Sequence, residues 1–114
     1  MNILLIQENG RHEANKNFRE CFSLQRAFEK FGHFCNVWGQ GHSNFDISPD
    51  YESYDWIINL ENYDTGWVPN LSTSKAKKIL WVIDAHCAGE QGYLNEFNSG
   101  GYDVMFHATE DFCS

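Results

Sequence analysis

The fold is indicated most clearly by residues 18–38, which read FRECFSLQRAFEKFGHFCNVW. Apolar side chains recur there at the three- and four-residue intervals of one helix face; they are Phe18, Cys21, Phe22, Leu24, Phe28 and Phe31. Asn15 or Asn17 can cap the start of this helix, and Gly32 lies where a left-handed residue would end it. The apolar run 34–38 follows at once, so the segment predicts a helix that leads directly into a strand.

Four more apolar runs are spaced along the chain with room for helices or loops between them. With the first, they are Ile3–Ile6, Phe34–Trp38, Trp56–Leu60, Ile79–Ile83 and Tyr102–Phe106. Their hydrophobicity is continuous rather than alternating, which is typical of strands covered on both faces. The sequence therefore predicts an α/β fold, a three-layer sandwich with a mostly parallel five-stranded sheet.

The connecting segments are predicted in outline. Gly39–Ser53, with its Gly, Pro, Asn, Asp and Ser residues, indicates a loop. Short helices are expected within Trp67–Lys77 and Gln91–Asn98. The 114 residues suffice for one domain, 1–114. Because Thr109–Ser114 resembles the first turn of another helix, we expect this domain to be truncated or to be one half, such as the N-terminal half, of a larger protein.

Charge and composition exclude several classes of partner. Acidic residues number 16 against 8 Lys and Arg, a net charge of −8, so we expect no nucleic-acid partner. No apolar run approaches the roughly 20 residues that span a bilayer, and the N-terminus lacks the pattern of a signal peptide. We therefore expect no membrane span and a cytoplasmic location. The four Cys include no C-x-x-C pair and are expected to be reduced and mostly buried.

Polar residues cluster after the predicted strands, where open α/β sheets bind their ligands. The segments are Gln7–His12, Gly39–His42, Glu61–Asp64, Asp84–Cys87 and His107–Glu110, and they hold four of the five His. Polar residues also gather in loops without any function, and the sequence leaves that alternative open.

Known site motifs are mostly missing from these segments. The turn after the first strand has only Gly10 where a dinucleotide fingerprint needs three Gly, and no phosphate loop of the G-K-S or G-K-T type occurs. Asp84, His86 and Cys87 are types of zinc ligand, but a site would need a further distant His, and we expect no metal. The alternative is that Asp84 caps a turn and Cys87 is buried.

Two arrangements could carry chemistry. His12 and Asp84 would lie on the same edge if their strands were neighbours, and the pair could then deprotonate a hydroxyl; the alternative is an ordinary surface His. The loop 61–67 offers Glu61, Asn62, Tyr63 and Trp67, which combine hydrogen-bonding groups with aromatic faces and would suit a sugar. Its alternative is a turn packed onto the domain edge by Tyr63 and Trp67.

The segment Leu24–Val37, set after the opening Met1–Ile6, resembles the start of GT-B glycosyltransferases. In that family a helix of the form "xL-xx-AL-xx-x-GH-x-V" leads into the second strand. Tyr54–Ile58 and Tyr102–Phe106 are similar to its strands that begin Tyr-Asp, and Lys78–Asp84 is similar to the strand before its acceptor-side loop. The resemblance covers nearly the whole chain.

The resemblance implies a Rossmann-like, acceptor-binding half whose full-length relatives transfer a sugar from a nucleotide-sugar donor. In some members a His in the loop after the first strand acts as a base, and His12 occupies the corresponding loop, so we expect it to be catalytic. We place Asp84 and His86 with it around the acceptor hydroxyl, with Asp84 also catalytic. Asn9 and Gly10 occupy the turn that is Gly-rich in many members, and we assign them to substrate binding with the loop 61–67. The donor would be held by a C-terminal half, so no cofactor is expected in this chain.

Two functions are therefore expected from the sequence. The first is the acceptor-binding half of a glycosyltransferase, which takes a small-molecule or glycan acceptor and is inactive without a donor-binding half. The alternative is a stand-alone, non-catalytic α/β module that binds a small ligand or a protein. Such a module could be a homodimer that buries its open sheet edge.

Overall fold

A computed structural model describes residues 1–9, 20–60, 66–71, 74–82 and 101–107. Its elements are β1 (Asn2–Ile6), α1 (Glu20–Lys30), β2 (Phe34–Trp38), a 3₁₀ helix (Tyr51–Ser53), β3 (Trp56–Leu60), β4 (Lys77–Val82) and β5 (Val104–His107). Each predicted strand is present, with its bounds shifted by two residues or fewer.

The five strands form one sheet in the order β2-β1-β3-β4-β5, and all four pairings are parallel. Leu4 of β1 is aligned with Asn36 of β2 on one side and with Ile57 of β3 on the other. The predicted α/β, Rossmann-like fold with a parallel five-stranded sheet is confirmed. The chain passes from β1 outward to β2 and then returns to the other side of β1, so the strand order reverses between β1 and β3.

Strand alternation divides the core between the two faces of the sheet. One face carries Leu4, Ile6, Trp38, Ile57, Leu71, Ala76, Leu80 and Tyr102. The other carries Ile3, Leu5, Cys35, Val37, Ile58, Leu60 and Ile79, and Cys21 of α1 packs there. Both faces are covered, which explains why the strands are continuously apolar rather than alternating.

The predicted helix is present, and its end is confirmed. Gly32 has φ +87°, and the N–H of His33 donates to the carbonyl of Phe28 at 3.0 Å, which closes the last turn. Phe31, predicted on the apolar face, lies beyond the helix and is 80% exposed. The predicted caps at residues 15 and 17 lie outside the described residues.

The connections differ in part from the prediction. The loop 39–53 is confirmed, with the 3₁₀ helix at its end. The described residues of 67–76 form turn and coil, so the helix expected there is wrong for that part. Ser74 explains the difference: its N–H donates to Leu71 and its hydroxyl accepts from Ala76, local bonds that compete with a helix. The helix predicted at 91–98 lies outside the described residues.

Two further expectations concern cysteines and membranes. Cys21 and Cys35 are buried free thiols, as predicted, while Cys87 and Cys113 fall outside the described residues. Among the described segments, no helix has the length and apolar character needed to cross a membrane.

Candidate functional site

Most of the predicted site residues lie outside the part of the chain that the structure describes. They are Gly10, His12, Glu61, Asn62, Tyr63, Asp84 and His86. Asn9 and Trp67 are described, and their surroundings can be stated. The roles assigned to all nine residues stay predictions.

The sheet order bears directly on the His12–Asp84 pair. The pair is proposed on the condition that β1 and β4 are neighbours, but β3 lies between them, so that condition is not met. Neighbouring strands are about 4.8 Å apart, which separates the ends of β1 and β4 by roughly 10 Å.

The chain beyond β1 stays buried although it is polar. Gln7, Glu8 and Asn9 are 0%, 2% and 9% exposed. The N–H of Gln7 donates to Trp38 at 3.1 Å, and the N–H of Asn9 donates to Gln40 at 2.9 Å. The polar residues after β1 therefore continue beside the chain that leaves β2, at the carboxyl edge of the sheet.

A second buried amide lies near the end of β3. Asn59 is fully buried, and its Nδ2 donates to the hydroxyl of Tyr102 at 2.7 Å. This bond joins β3 to the segment that precedes β5. Buried polar groups thus occur near the carboxyl ends of both β1 and β3, the two strands between which the order reverses.

Two glycines allow the loop after β2 to pack tightly over the end of β1. A Cβ at Gly39 would lie 2.5 Å from the carbonyl oxygen of Gln7 and 2.9 Å from the ring of Trp67. At Gly41, where φ is +88°, a Cβ would lie 3.2 Å from the Cβ of Asn9. The Gly-Gln-Gly sequence therefore permits close approach of two backbones and leads directly to His42.

His42 is anchored to β1 through its ring. Its Nε2 lies 2.7 Å from the carbonyl oxygen of Gln7, and its ring centroid is 5.4 Å from that of Phe22 in α1. A carbonyl oxygen only accepts, so Nε2 carries the proton. Burial lowers the pKa of the imidazole below its ordinary value of 6.5, while the bond to Gln7 acts in the opposite direction. The ring is therefore neutral at pH 7, with an unprotonated Nδ1.

His42 lines a cleft of about 460 Å³ between α1, β2 and the following loop. The cleft is lined by Asn9, Phe22, Gln25, Asn36, Val37, Gly41, His42, Ser43 and Asn44. None of these carries a formal charge when His42 is neutral. Asn9 is predicted from the sequence to bind substrate, whereas His42, Gln25 and Asn44 are not. The available signal for His42 was its position after two closely spaced glycines at the end of an apolar strand.

Trp67 packs into an aromatic cluster rather than into this cleft. Its ring lies 5.8 Å from that of Trp38 and 5.7 Å from that of Phe45, centroid to centroid. Its indole Nε1 is buried and has no hydrogen-bond partner among the described residues. This geometry favours the alternative in which Trp67 packs its turn onto the domain.

The described residues contain no group of three or more His, Cys, Asp or Glu side chains placed to hold a metal ion. No family model, curated protein or solved structure matches the chain. The site's chemistry therefore has to be inferred from its own geometry.

Proposed function

We propose that the chain is the acceptor-binding domain of a GT-B-like glycosyltransferase, and that it binds a small-molecule or glycan acceptor at the carboxyl edge of its sheet. The observation that carries the proposal is the order β2-β1-β3-β4-β5, which reverses between β1 and β3 beside buried polar residues. Ligands of open α/β sheets bind in the crevice at such a reversal. The sequence resemblance supplies the reaction class.

The residues that line the cleft at this edge favour an uncharged, hydroxylated ligand. Among the residues that the structure describes, the cleft is lined by side-chain amides, a neutral imidazole and the Phe22 ring, and by no Lys or Arg. A nucleotide-sugar diphosphate would be expected to need basic groups, and the chain's net charge of −8 further opposes it. The proposal therefore assigns the acceptor to this domain and the donor to another.

The proposal is tested by titrating the ¹⁵N-labelled chain with neutral methyl glycosides and, separately, with UDP-glucose, observed by NMR. Neutral sugars are expected to shift the amides of residues 7–9, 39–44 and 59–60, with saturable changes. UDP-glucose is expected to cause no amide shifts beyond those that its sugar alone causes. Absence of a response to every sugar, or a response that requires the diphosphate, would contradict the proposal.

The alternative, a non-catalytic module that dimerises through its open sheet edge, meets an obstacle at β2. The backbone N–H of Phe34 and the backbone carbonyl of Trp38 bond to the β1 side of the strand. The backbone N–H and carbonyl groups of the alternate residues, Cys35 and Val37, therefore point to the free edge. Side-chain amides already occupy their carbonyls. A second strand would have to displace both amides to pair there.

A further inference from the structure

The free edge of β2 is covered by two side-chain amides. Nε2 of Gln25, from α1, donates to the carbonyl of Cys35 at 3.0 Å, and Nδ2 of Asn44, from the loop after β2, donates to the carbonyl of Val37 at 3.0 Å. Both amides line the cleft that contains His42. One wall of the cleft is therefore built from side chains whose orientation is set by the strand.

The direction of these hydrogen bonds determines which side-chain atoms remain available to a ligand. A backbone carbonyl cannot donate, so each amide must present its NH₂ group to the strand and keep its oxygen as an acceptor. The same argument applies to His42, whose Nε2–H faces the carbonyl of Gln7. Within the described part of the chain, these three side chains make no other hydrogen bond. Gln25 Oε1, Asn44 Oδ1 and His42 Nδ1 are thus three acceptors on one cleft.

We propose that this cleft binds the hydroxyl groups of a neutral sugar, with Gln25 Oε1, His42 Nδ1 and Asn44 Oδ1 as the acceptors of its O–H donors. That the sugar is the acceptor of a glycosyl transfer rests on the proposed function. The volume of about 460 Å³ lies within the roughly 300–1,000 Å³ of small-molecule sites. The Phe22 ring adds an apolar surface for the C–H face of a sugar.

The uncharged lining favours hydroxyl donors over an ammonium group. A buried cation is normally paired with a carboxylate, and no Asp or Glu is among the described residues that line the cleft. An amine is nevertheless attracted by the chain's overall negative charge, so the experiment includes one. Spermidine is the probe for that purpose, since any attraction that depends on net charge weakens with added salt.

The first test uses the unaltered chain. Binding of methyl glucoside and of other neutral methyl glycosides is compared, by NMR titration, with binding of their fully O-methylated derivatives, which have no O–H donor. Loss of about tenfold or more in affinity on O-methylation is expected. Equal affinity of the two forms, or saturable spermidine binding at the same residues that persists in high salt, would overturn the inference.

The second test uses variants with matched controls. Gln25→Ala, Asn44→Ala and His42→Phe are each expected to weaken sugar binding by about two- to tenfold, the effect of one hydrogen bond. The exposed Gln40 does not line the cleft, so Gln40→Ala is the control for the amides, and His33→Phe is the control for the histidine. Urea unfolding confirms that each variant is folded.

The results separate the two proposals. Sugars could shift the amide signals only of residues near the ends of β1 and β3, and the three variants could bind sugar as well as the controls do. In that case the cleft assignment is overturned and acceptor binding stands. If no neutral sugar binds the unaltered chain, both are overturned.

Discussion

The side-chain oxygen of Gln7 accepts a hydrogen bond from the backbone N–H of Cys21 at 2.9 Å, which ties the carboxyl end of β1 to the first turn of α1. The backbone carbonyl of Gln7 also faces the ring of His42. Gln7 is fully buried. One residue therefore positions both the helix and the loop that enclose the cleft.

Replacement of Gln7 by Leu is expected to destabilise the fold by about 1–3 kcal/mol, because the N–H of Cys21 loses its buried acceptor. Urea unfolding at neutral pH measures the difference. Gln40→Leu is the matched control, because its side chain is exposed and surface changes usually cost less than about 0.5 kcal/mol. Equal stability of the two variants would show that the Gln7 bond contributes nothing.

Local patterns were sufficient to predict most of the framework. The continuous apolar runs identified every strand of the sheet, and the helical spacing with Gly32 identified α1 and its end. The start of β4 was placed two residues late because it contains Lys77 and Lys78. Lys78 is only 8% exposed, and its Nζ donates to the carbonyls of Ser74 and Ala76. Hydropathy does not reveal that a lysine is buried by local backbone acceptors.

The candidate site was less predictable because it depends on contacts between distant parts of the chain. His42 acquires its tautomer from Gln7, 35 positions earlier. Gln25 and Asn44 acquire their orientation from the carbonyls of β2. The sequence shows the residue types but neither the strand order nor these partners. For the same reason, it could not decide whether Trp67 contacts a ligand or packs against Trp38.

Gly39→Ala is expected to be more destabilising than Gly32→Ala. A Cβ at position 39 would meet the Gln7 carbonyl oxygen at 2.5 Å, so backbone must move, and overpacking of this kind costs about 1–3 kcal/mol or more. Gly32 has open space around it, and the expected cost of about 1–2 kcal/mol comes from its positive φ alone.

Urea unfolding and an NMR spectrum of each glycine variant make the comparison. The NMR signals of the backbone amides of residues 7–9 are expected to shift in Gly39→Ala and to be unchanged in Gly32→Ala. An equal loss of stability in both variants, without a shift near Gln7, would contradict the close packing of the loop on β1.

Cys35 is expected to resist thiol reagents in the folded protein. Burial, with smaller contributions from Glu29 and Cys21, raises the pKa of its thiol to about 12, so the reactive thiolate is scarce at pH 8. A variant with Cys87→Ser and Cys113→Ser leaves Cys21 and Cys35 as the only thiols. Ellman's reagent is expected to label neither before unfolding and both in urea.

Ser48→Cys in the same background provides the positive control, because Ser48 is exposed. Its added thiol should react within the dead time of manual mixing. Rapid labelling of Cys35 in the folded chain would contradict its burial under α1.

The lowered pKa of His42 predicts a loss of stability in acid. A folded-state pKa below the ordinary 6.5 means that the unfolded chain binds a proton more readily than the folded one. The stabilising contribution of neutral His42 is therefore complete above about pH 7 and declines as the pH falls below 6.5 toward the lowered value. Urea unfolding from about pH 7.5 to pH 5.5 measures this change.

The matched variant is His42→Gln, whose amide N–H can still donate to the carbonyl of Gln7 but does not titrate in this range. The difference in stability between the original chain and this variant isolates His42, because all other histidines are common to both. The original chain is expected to lose stability more steeply toward acid. Parallel pH profiles would show that His42 is not held neutral, and a steeper loss in the variant would mean that its pKa is raised rather than lowered.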